Sequence, residues 1–221
     1  MAMMLDVSSC KEMLLYVASS VKDQTEMLDE ADSLGDSDHG SIMNIGFSAV
    51  ESILKNERYR DLGSLFAACG TTILMNSGGA GGAVFGSFFK GGAKAFEGKT
   101  VLDSSSFALF LQYGLESVLK RGKAAVGDKT MLDALKPAAD YAAAHKDDLL
   151  DTLVQGCSIV AKNGSESTKL MVAAYGRMKH LGKRTLGHAD PGSITMVLIL
   201  DSMAQFIRLL SVETYGDTQF N

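Results

Sequence analysis

The stretch that decides the fold is Pro191-Gly-Ser-Ile-Thr-Met-Val-Leu-Ile-Leu-Asp-Ser-Met-Ala-Gln-Phe-Ile-Arg-Leu-Leu210. Its apolar residues recur three or four positions apart, which is the period of one face of an α-helix. Asp190 is a suitable N-cap for this helix, and Pro191 fits the first helical position. The stretch therefore predicts a long amphipathic helix whose buried stripe comprises Met196, Ile199, Leu200, Met203, Phe206, Ile207 and Leu210.

The same periodicity recurs upstream, and alternation typical of strands is scarce. Stripes begin near Leu14, Met43, Phe107 and Leu149. These patterns predict eight or nine helices joined by short links, with no linker or repeat that would divide the chain. We therefore expect an all-α fold with residues 1–221 as one helical bundle, and we place further helices at about 62–76, 82–97, 130–144 and 166–182.

Composition excludes several classes of protein. The 221 residues carry a net charge of −5, whereas nucleic-acid binders usually present a basic face. Cys10, Cys69 and Cys157 are widely spaced and odd in number, so we expect buried core residues instead of a disulfide framework or zinc site. The sequence shows neither a secretory leader pattern nor an apolar run of about 18 residues. A cytoplasmic protein that binds neither nucleic acid nor membrane is expected.

Polar and glycine-rich residues concentrate in four short segments between predicted helices, namely Gly35–Gly40, Ser77–Gly82, Gly127–Thr130 and Gly187–Gly192. The last three run directly into helix starts, where aspartates such as Asp128 are natural N-caps. Any one segment could be ordinary turn chemistry. Four of this density favour a functional site.

Aspartates dominate the first segment. Asp32, Asp36 and Asp38 lie near a predicted helix end, Asp29 lies one turn earlier, and the spacing of Asp32 and Asp36 would place both on one helical face. Carboxylates that converge without a nearby lysine or arginine repel each other unless a cation lies between them, and hard oxygen ligands favour magnesium. The alternative is a set of solvated residues at a helix end. His39 could bind phosphate or cap the turn.

The other segments could bind anions at helix starts. Asn76–Gly82 lacks side-chain bulk, so its backbone N–H groups could approach an anion, although close helix packing through Gly81 and Gly82 explains it equally well. It matches neither the P-loop nor the Rossmann fingerprint. Thr130 offers a hydroxyl at a helix start, Met131 could lie against a base or belong to the core, and Arg184 could pair with phosphate or lie exposed.

Together these features are those that phosphoryl transfer requires, since catalysis there consists mostly of positioning and charge neutralisation. No catalytic Ser/His/Asp arrangement and no HExxH motif is present. The residues by themselves thus indicate a helical protein that binds a magnesium–nucleotide.

The four segments, in this order, resemble the L subunit family of dihydroxyacetone kinases. The family pattern GDGDHG corresponds to Gly35–Gly40, and its glycine-rich turn GGASG begins at Gly78. Its stretch RGKAxxGDKTM is matched in full from Arg121 to Met131, and its stretch LGxRxxGHxDPG from Leu181 to Gly192. The resemblance spans about residues 14–210.

This resemblance implies an antiparallel eight-helix barrel that holds ADP or ATP at one end with two Mg²⁺ ions. It also implies roles for individual residues. The metal ligands would be Asp36, Asp38 and an upstream aspartate, Asp32. The phosphates would be lined by His39, Gly79, Ala80, Gly81 and Thr130, and the base and ribose side by Gly122, Met131, Asp190 and Gly192. Arg184 would face the transferred phosphoryl group, with His39 as a second catalytic residue.

Partners follow from the same resemblance. The acceptor, dihydroxyacetone or a related ketose such as erythrulose, would be held by a separate K subunit. ADP could be a fixed cofactor recharged by a subunit of the sugar phosphotransferase system, or ATP could exchange as a co-substrate. A homodimer is left open. Two alternatives are a non-catalytic, regulatory relative of the L subunit and a nucleotide domain of the fatty-acid-kinase type.

Four positions depart from the family pattern. The upstream aspartate is one residue closer, because Ala31 stands at its usual position and Asp32 follows. Ser37 replaces the central glycine of GDGDHG, Gly81 replaces the serine of GGASG, and Ile42 stands where threonine or asparagine is frequent.

Overall fold

The computed structural model describes residues 3–216 and, for side chains, residues 3–212. Within this range the chain forms nine α-helices. They are α1 (Val7–Asp23), α2 (Thr25–Ala31), α3 (His39–Asn56), α4 (Leu62–Asn76), α5 (Gly79–Gly92), α6 (Ser104–Arg121), α7 (Leu132–Ala144), α8 (Leu150–Ser167) and α9 (Pro191–Gly216). Residues 1–2 and 217–221 of the predicted single domain lie outside the described residues.

Short elements complete the chain. Two-residue strands, β1 (Leu5–Asp6) and β2 (Val101–Leu102), pair antiparallel with Leu5 opposite Leu102. Three 3-10 helices span Ala93–Phe96, Thr168–Leu170 and Arg177–Thr185.

Eight of the helices form a closed ring. From α3 to α9 each helix packs against the next, and α1 packs against both α3 and α9, which closes the circle, while α2 packs on α3. The short links between α3 and α4, α4 and α5, and α7 and α8 make these packed neighbours antiparallel. The expected all-α, eight-helix barrel is confirmed.

Apolar side chains from all the ring helices fill its interior. Phe66 of α4, Phe88 of α5 and Phe110 of α6 are buried, with edge-to-face rings about 5.1 Å from the Phe110 centroid. Burying a side chain of this size stabilises the fold by roughly 1.5–3 kcal/mol. Cys10, Cys69 and Cys157 are buried and unpaired, as expected.

The closing helix, α9, has the predicted stripe at its buried face, and Asp190 accepts a hydrogen bond from the Ser193 amide at 2.6 Å as the predicted N-cap. The sequence predicted no apolar run long enough for a membrane. Among the described residues, however, the stretch Pro191–Val212 has that length and composition, and half of its most apolar window is buried. Its apolarity follows from its position between α1 and α8 in the ring.

The predicted helix at 166–182 is wrong. α8 ends at Ser167, and the chain then crosses the end of the ring through short 3-10 helices to α9. Gly176 has φ of 70°, which interrupts any helix there. Backbone groups of this segment instead form hydrogen bonds with residues far away in the sequence. For example, the Ala174 amide donates to the Asp128 carbonyl at 3.1 Å.

Candidate active site

A cavity of about 360 Å³ lies at one end of the ring. The starts of four helices line it, through His39 of α3, Gly79 of α5, Leu132 of α7 and Pro191 of α9. In an antiparallel ring alternate helices start at the same end, so the fold itself gathers these four N-termini. Each carries a partial positive charge. Their convergence makes the cavity favourable for an anion with several charges.

The glycine-rich turn presents backbone donors to this cavity. Gly78 makes no side-chain cap for α5, so the amides of Gly79, Ala80 and Gly81 have no helical acceptor. All three residues line the cavity. Close packing accounts for the next residue, Gly82, because a side chain there would lie 2.4 Å from the Ser77 Cβ and carbonyl oxygen.

The aspartate segment turns sharply at the cavity mouth. α2 ends at Ala31, and the Gly35 amide donates to the Asp32 carbonyl at 2.7 Å. The prediction that Asp32 and Asp36 share a helical face is therefore wrong. Asp32 and Asp38 line the cavity, whereas Asp36 lies outside its lining.

Asp29 does not face the cavity. Its carboxylate accepts hydrogen bonds from the Ser41 amide at 2.9 Å and the Ser41 hydroxyl at 2.7 Å. It thereby caps the first turn of α3, a task that the N-cap residue Asp38 does not perform with its side chain. Of the two upstream aspartates, Asp32 is therefore the one that lines the cavity.

An arginine that the sequence analysis overlooked contacts the aspartates. The Arg177 guanidinium is paired with Asp36 and lies 3.8 Å from the Asp38 carboxylate. Burial raises the pKa of Asp32, and the nearby Asp38 charge acts in the same direction. Within residues 3–212 no three His, Cys, Asp or Glu side chains form a ready metal cluster. The carboxylates nevertheless suit Mg²⁺, a hard cation that prefers oxygen ligands. In this structure the Arg177 guanidinium supplies the positive charge that compensates Asp36 and Asp38.

His39 forms one wall of the cavity. Its Nε2 lies 2.8 Å from the Thr195 hydroxyl, and a side chain at Gly81 would begin 3.6 Å from its Nδ1. Burial lowers the pKa of His39 to about 4, so the ring is neutral at neutral pH. His39 thus offers a hydrogen bond beside the glycine-rich turn and no charge.

The start of α7 is organised by Asp133. Its carboxylate accepts hydrogen bonds from the Gly127 amide at 2.5 Å and the Thr130 amide at 2.8 Å. Asp128 was predicted as the N-cap, and that prediction is wrong, because its carboxylate binds the Ala125 amide instead. Thr130 and Met131 line the cavity, and Met131 also belongs to the buried core.

The far wall combines Gly122, Asp190 and Gly192, which all line the cavity. Burial raises the pKa of Asp190 to about 7. A side chain at Gly192 would begin 3.1 Å from the Asp190 carboxylate and 3.5 Å from the Met131 Cβ. Glycine there keeps this part of the cavity open.

Arg184 is exposed and lies outside the cavity lining, whereas Arg177 lies within it. Lys129 and Tyr175 also line the cavity and were missed. The false helical interpretation of residues 166–182 concealed Tyr175 and Arg177. Gly176, a turn former directly between them, is the signal that could have revealed both.

Comparisons with known proteins agree with this geometry. The family model described as the DAK2 domain matches residues 33–205. The ADP-binding subunit DhaL of a PEP-dependent dihydroxyacetone kinase from Escherichia coli is 35% identical over 77% of this chain and 82% of its own length. The corresponding subunit of kinase 1 from Listeria innocua is 33% identical over 84% of this chain and 89% of its own length.

Longer relatives contain the same region as one part. Human triokinase/FMN cyclase is 32% identical over 91% of this chain, which spans 36% of that protein. The crystal structure of the dihydroxyacetone kinase of C. freundii superposes with a TM-score of 0.71 at 25% identity, over 88% of this chain and 34% of that one. The family match over most of the chain and the identity to full-length bacterial subunits lead to one conclusion: this protein belongs to the DAK2 domain family, alongside the DhaL subunits of dihydroxyacetone kinases.

Proposed function

We propose that this protein is the nucleotide-carrying subunit of a dihydroxyacetone-type kinase. It would hold ADP or ATP with two Mg²⁺ ions and transfer a phosphoryl group to dihydroxyacetone or a related ketose on a separate K subunit. The observation that carries the proposal is the convergence of four helix N-termini on one cavity that has carboxylates at its mouth. This arrangement matches a polyphosphate and its metal ions in charge.

The carboxylates of Asp32, Asp36 and Asp38 would hold the metal. Bound there, Mg²⁺ neutralises charge on the phosphates. For Asp36 to act as a ligand, Arg177 has to leave it. The guanidinium would then be free to contact the transferring phosphoryl group with two donors. Its place in the cavity lining favours Arg177 for this role over the predicted Arg184.

The protein's own donors would orient the phosphates. The amides of Gly79, Ala80 and Gly81 lie at the start of α5 without helical acceptors, and the Thr130 hydroxyl lies at the neighbouring start of α7. The neutral His39 ring is hydrogen-bonded to Thr195. It would donate one hydrogen bond to a phosphate without adding a positive charge to the site. Such fixed donors need no reorganisation during transfer.

The base and ribose would occupy the more apolar side of the cavity. This side is lined by Val118 and Gly122 at the end of α6 and by Met131 and Leu132 at the start of α7, and Asp190 adds a polar group. Apolar walls with a few polar groups are typical of nucleotide pockets.

The relatives support a separate partner. The bacterial DhaL subunits are matched over most of their length, whereas in the C. freundii kinase the matched region is about a third of a longer chain. We infer that a K subunit supplies the acceptor site, in a cytoplasmic complex. The Listeria and Escherichia relatives are ADP-binding subunits of PEP-dependent dihydroxyacetone kinases, which favours the branch in which ADP is a fixed cofactor recharged by a phosphotransferase-system subunit.

Titration calorimetry with ADP in Mg²⁺, after extraction of any bound nucleotide, tests the proposal. The wild-type protein should bind ADP, and Asp36→Ala and Asp38→Ala should each abolish Mg²⁺-dependent binding without loss of helix content. The matched control is Arg184→Ala, which removes an exposed charged residue outside the cavity lining. This variant should bind ADP like the wild type. Absence of binding by the wild-type protein would refute the kinase role and leave the regulatory alternative.

ADP retained through gel filtration would favour the fixed-cofactor branch. A nucleotide-free preparation that binds ATP would favour exchange instead.

A further inference from the structure

The segment of residues 168–190, which we call the strap, crosses the end of the ring beside the cavity. It connects α8 to α9 and brings Tyr175, Arg177 and Met178 to the cavity lining. Its ends are held together, because the Gly187 amide donates to the Lys169 carbonyl at 2.7 Å and the Asp190 amide donates to the Thr168 hydroxyl at 2.9 Å. The strap is thus a loop whose two ends are hydrogen-bonded to each other.

Lys129 is attached to both ends of this loop. Its ammonium donates to the Thr168 carbonyl at 2.6 Å and also to the His188 carbonyl. The first carbonyl belongs to the beginning of the strap and the second to its end. Lys129 itself lies just before Thr130 and Met131, which lead into α7 at Leu132 and line the cavity.

The position of this lysine is unusual. Lys129 is only 1% exposed, and among residues 3–212 it is the one lysine that is buried. Lysine is almost never fully buried unless its charge is compensated. Here the charges of Asp190 and Asp133 oppose the effect of desolvation. Two carbonyl acceptors and two nearby carboxylates indicate a site built for this ammonium.

We propose that Lys129 is a positioning residue that fastens the strap to the start of α7 and thereby controls release of the nucleotide. It makes no contact with the reacting atoms. Instead it sets where Tyr175 and Arg177 lie over the cavity. The effect on nucleotide release rests on the proposed function, whereas the effect on the strap does not.

The substitution Lys129→Met tests this role, because methionine keeps much of the length and removes all three donors. The matched control is Lys169→Met, which removes a partly exposed strap lysine whose ammonium is paired with Glu166 at 2.6 Å. In Lys129→Met, limited trypsin digestion should cleave the strap at Arg177, Lys179, Lys183 or Arg184 roughly tenfold faster or more, since loss of charge-assisted hydrogen bonds favours local opening. Cleavage elsewhere should change far less, and Lys169→Met should behave like the wild type.

Nucleotide kinetics supply the second readout. Stopped-flow displacement of a fluorescent ADP analogue in Mg²⁺ should show dissociation roughly tenfold faster or more in Lys129→Met, with a smaller change in association rate. Equal strap cleavage and equal dissociation in Lys129→Met and wild type would overturn the proposal. If the wild-type protein binds no nucleotide, the proposed function fails, and the cleavage result still decides whether Lys129 fastens the strap.

A measurement on the wild-type chain covers the case in which Lys129→Met does not fold. Reductive methylation of the intact protein should modify Lys169 and leave Lys129 unmodified, and prior cleavage of the strap should make Lys129 reactive. Modification of Lys129 in the intact protein as fast as that of exposed lysines would refute the inference.

Discussion

Ser37 is held in a backbone conformation that suits glycine, and replacing it with glycine should stabilise the protein. Its φ is 55°, in the left-handed region. Its side chain is exposed, so the replacement removes no buried packing. A non-glycine residue in this region costs roughly 1–2 kcal/mol. Glycine loses more conformational entropy on folding, roughly 0.5–1 kcal/mol. The difference predicts that Ser37→Gly raises the free energy of unfolding by about 1 kcal/mol.

Urea denaturation followed by far-UV circular dichroism measures this change, and the melting temperature should rise by about 2–4 °C for a chain of this size. The control is Ser33→Gly, the same chemical change at an exposed residue without positive φ. It should lower stability by about 0.5–1 kcal/mol through entropy alone. If Ser37→Gly is no more stable than the wild type while Ser33→Gly behaves as expected, the assignment of strain to Ser37 is wrong.

Three further changes test other parts of the structure. His39 has a folded pKa of about 4 against 6.5 when unfolded, so stability should fall by about 3 kcal/mol from pH 6.5 to 4, and His39→Asn should flatten this slope in urea titrations at each pH. The Ser77 hydroxyl is buried without a partner, so Ser77→Ala should leave stability unchanged or raise it by up to about 1 kcal/mol, and a clear loss would contradict this. A Cβ at Gly164 would lie 2.0 Å from the Asp133 carbonyl oxygen. Gly164→Ala should therefore lower the melting temperature, with a loss of roughly 1–3 kcal/mol, and a neutral result would contradict the close approach of α7 and α8.

Local periodicity was sufficient for most of the fold. The helix predicted at 62–76 has those bounds in the structure, because a buried apolar stripe and flanking turn residues define it locally. The closure of the ring could not be predicted from the apolar stripe of any single helix. It depends on α9 packing against α1, a contact between the two ends of the described chain that only the family resemblance implied.

The site was predictable where motif residues lie at helix starts, since those positions are fixed by the ring. His39, Gly79 and Thr130 line one cavity, and their contact with phosphates stays a prediction. The strap was not predictable, because its backbone groups are satisfied by distant partners such as Lys129 and Asp128. Consequently Arg177 was missed, and Arg184 was expected at a position that the structure leaves exposed.

The central claim is that the carboxylates at the mouth gather Mg²⁺ and hold a polyphosphate against the starts of α3, α5, α7 and α9. A crystal structure of the protein grown with MgADP tests it most directly. We predict the phosphates at the amides of Gly79–Gly81, metal bound by Asp32, Asp36 and Asp38, and Arg177 moved away from Asp36. An empty cavity at saturating MgADP, with Arg177 still paired to Asp36, would contradict the account.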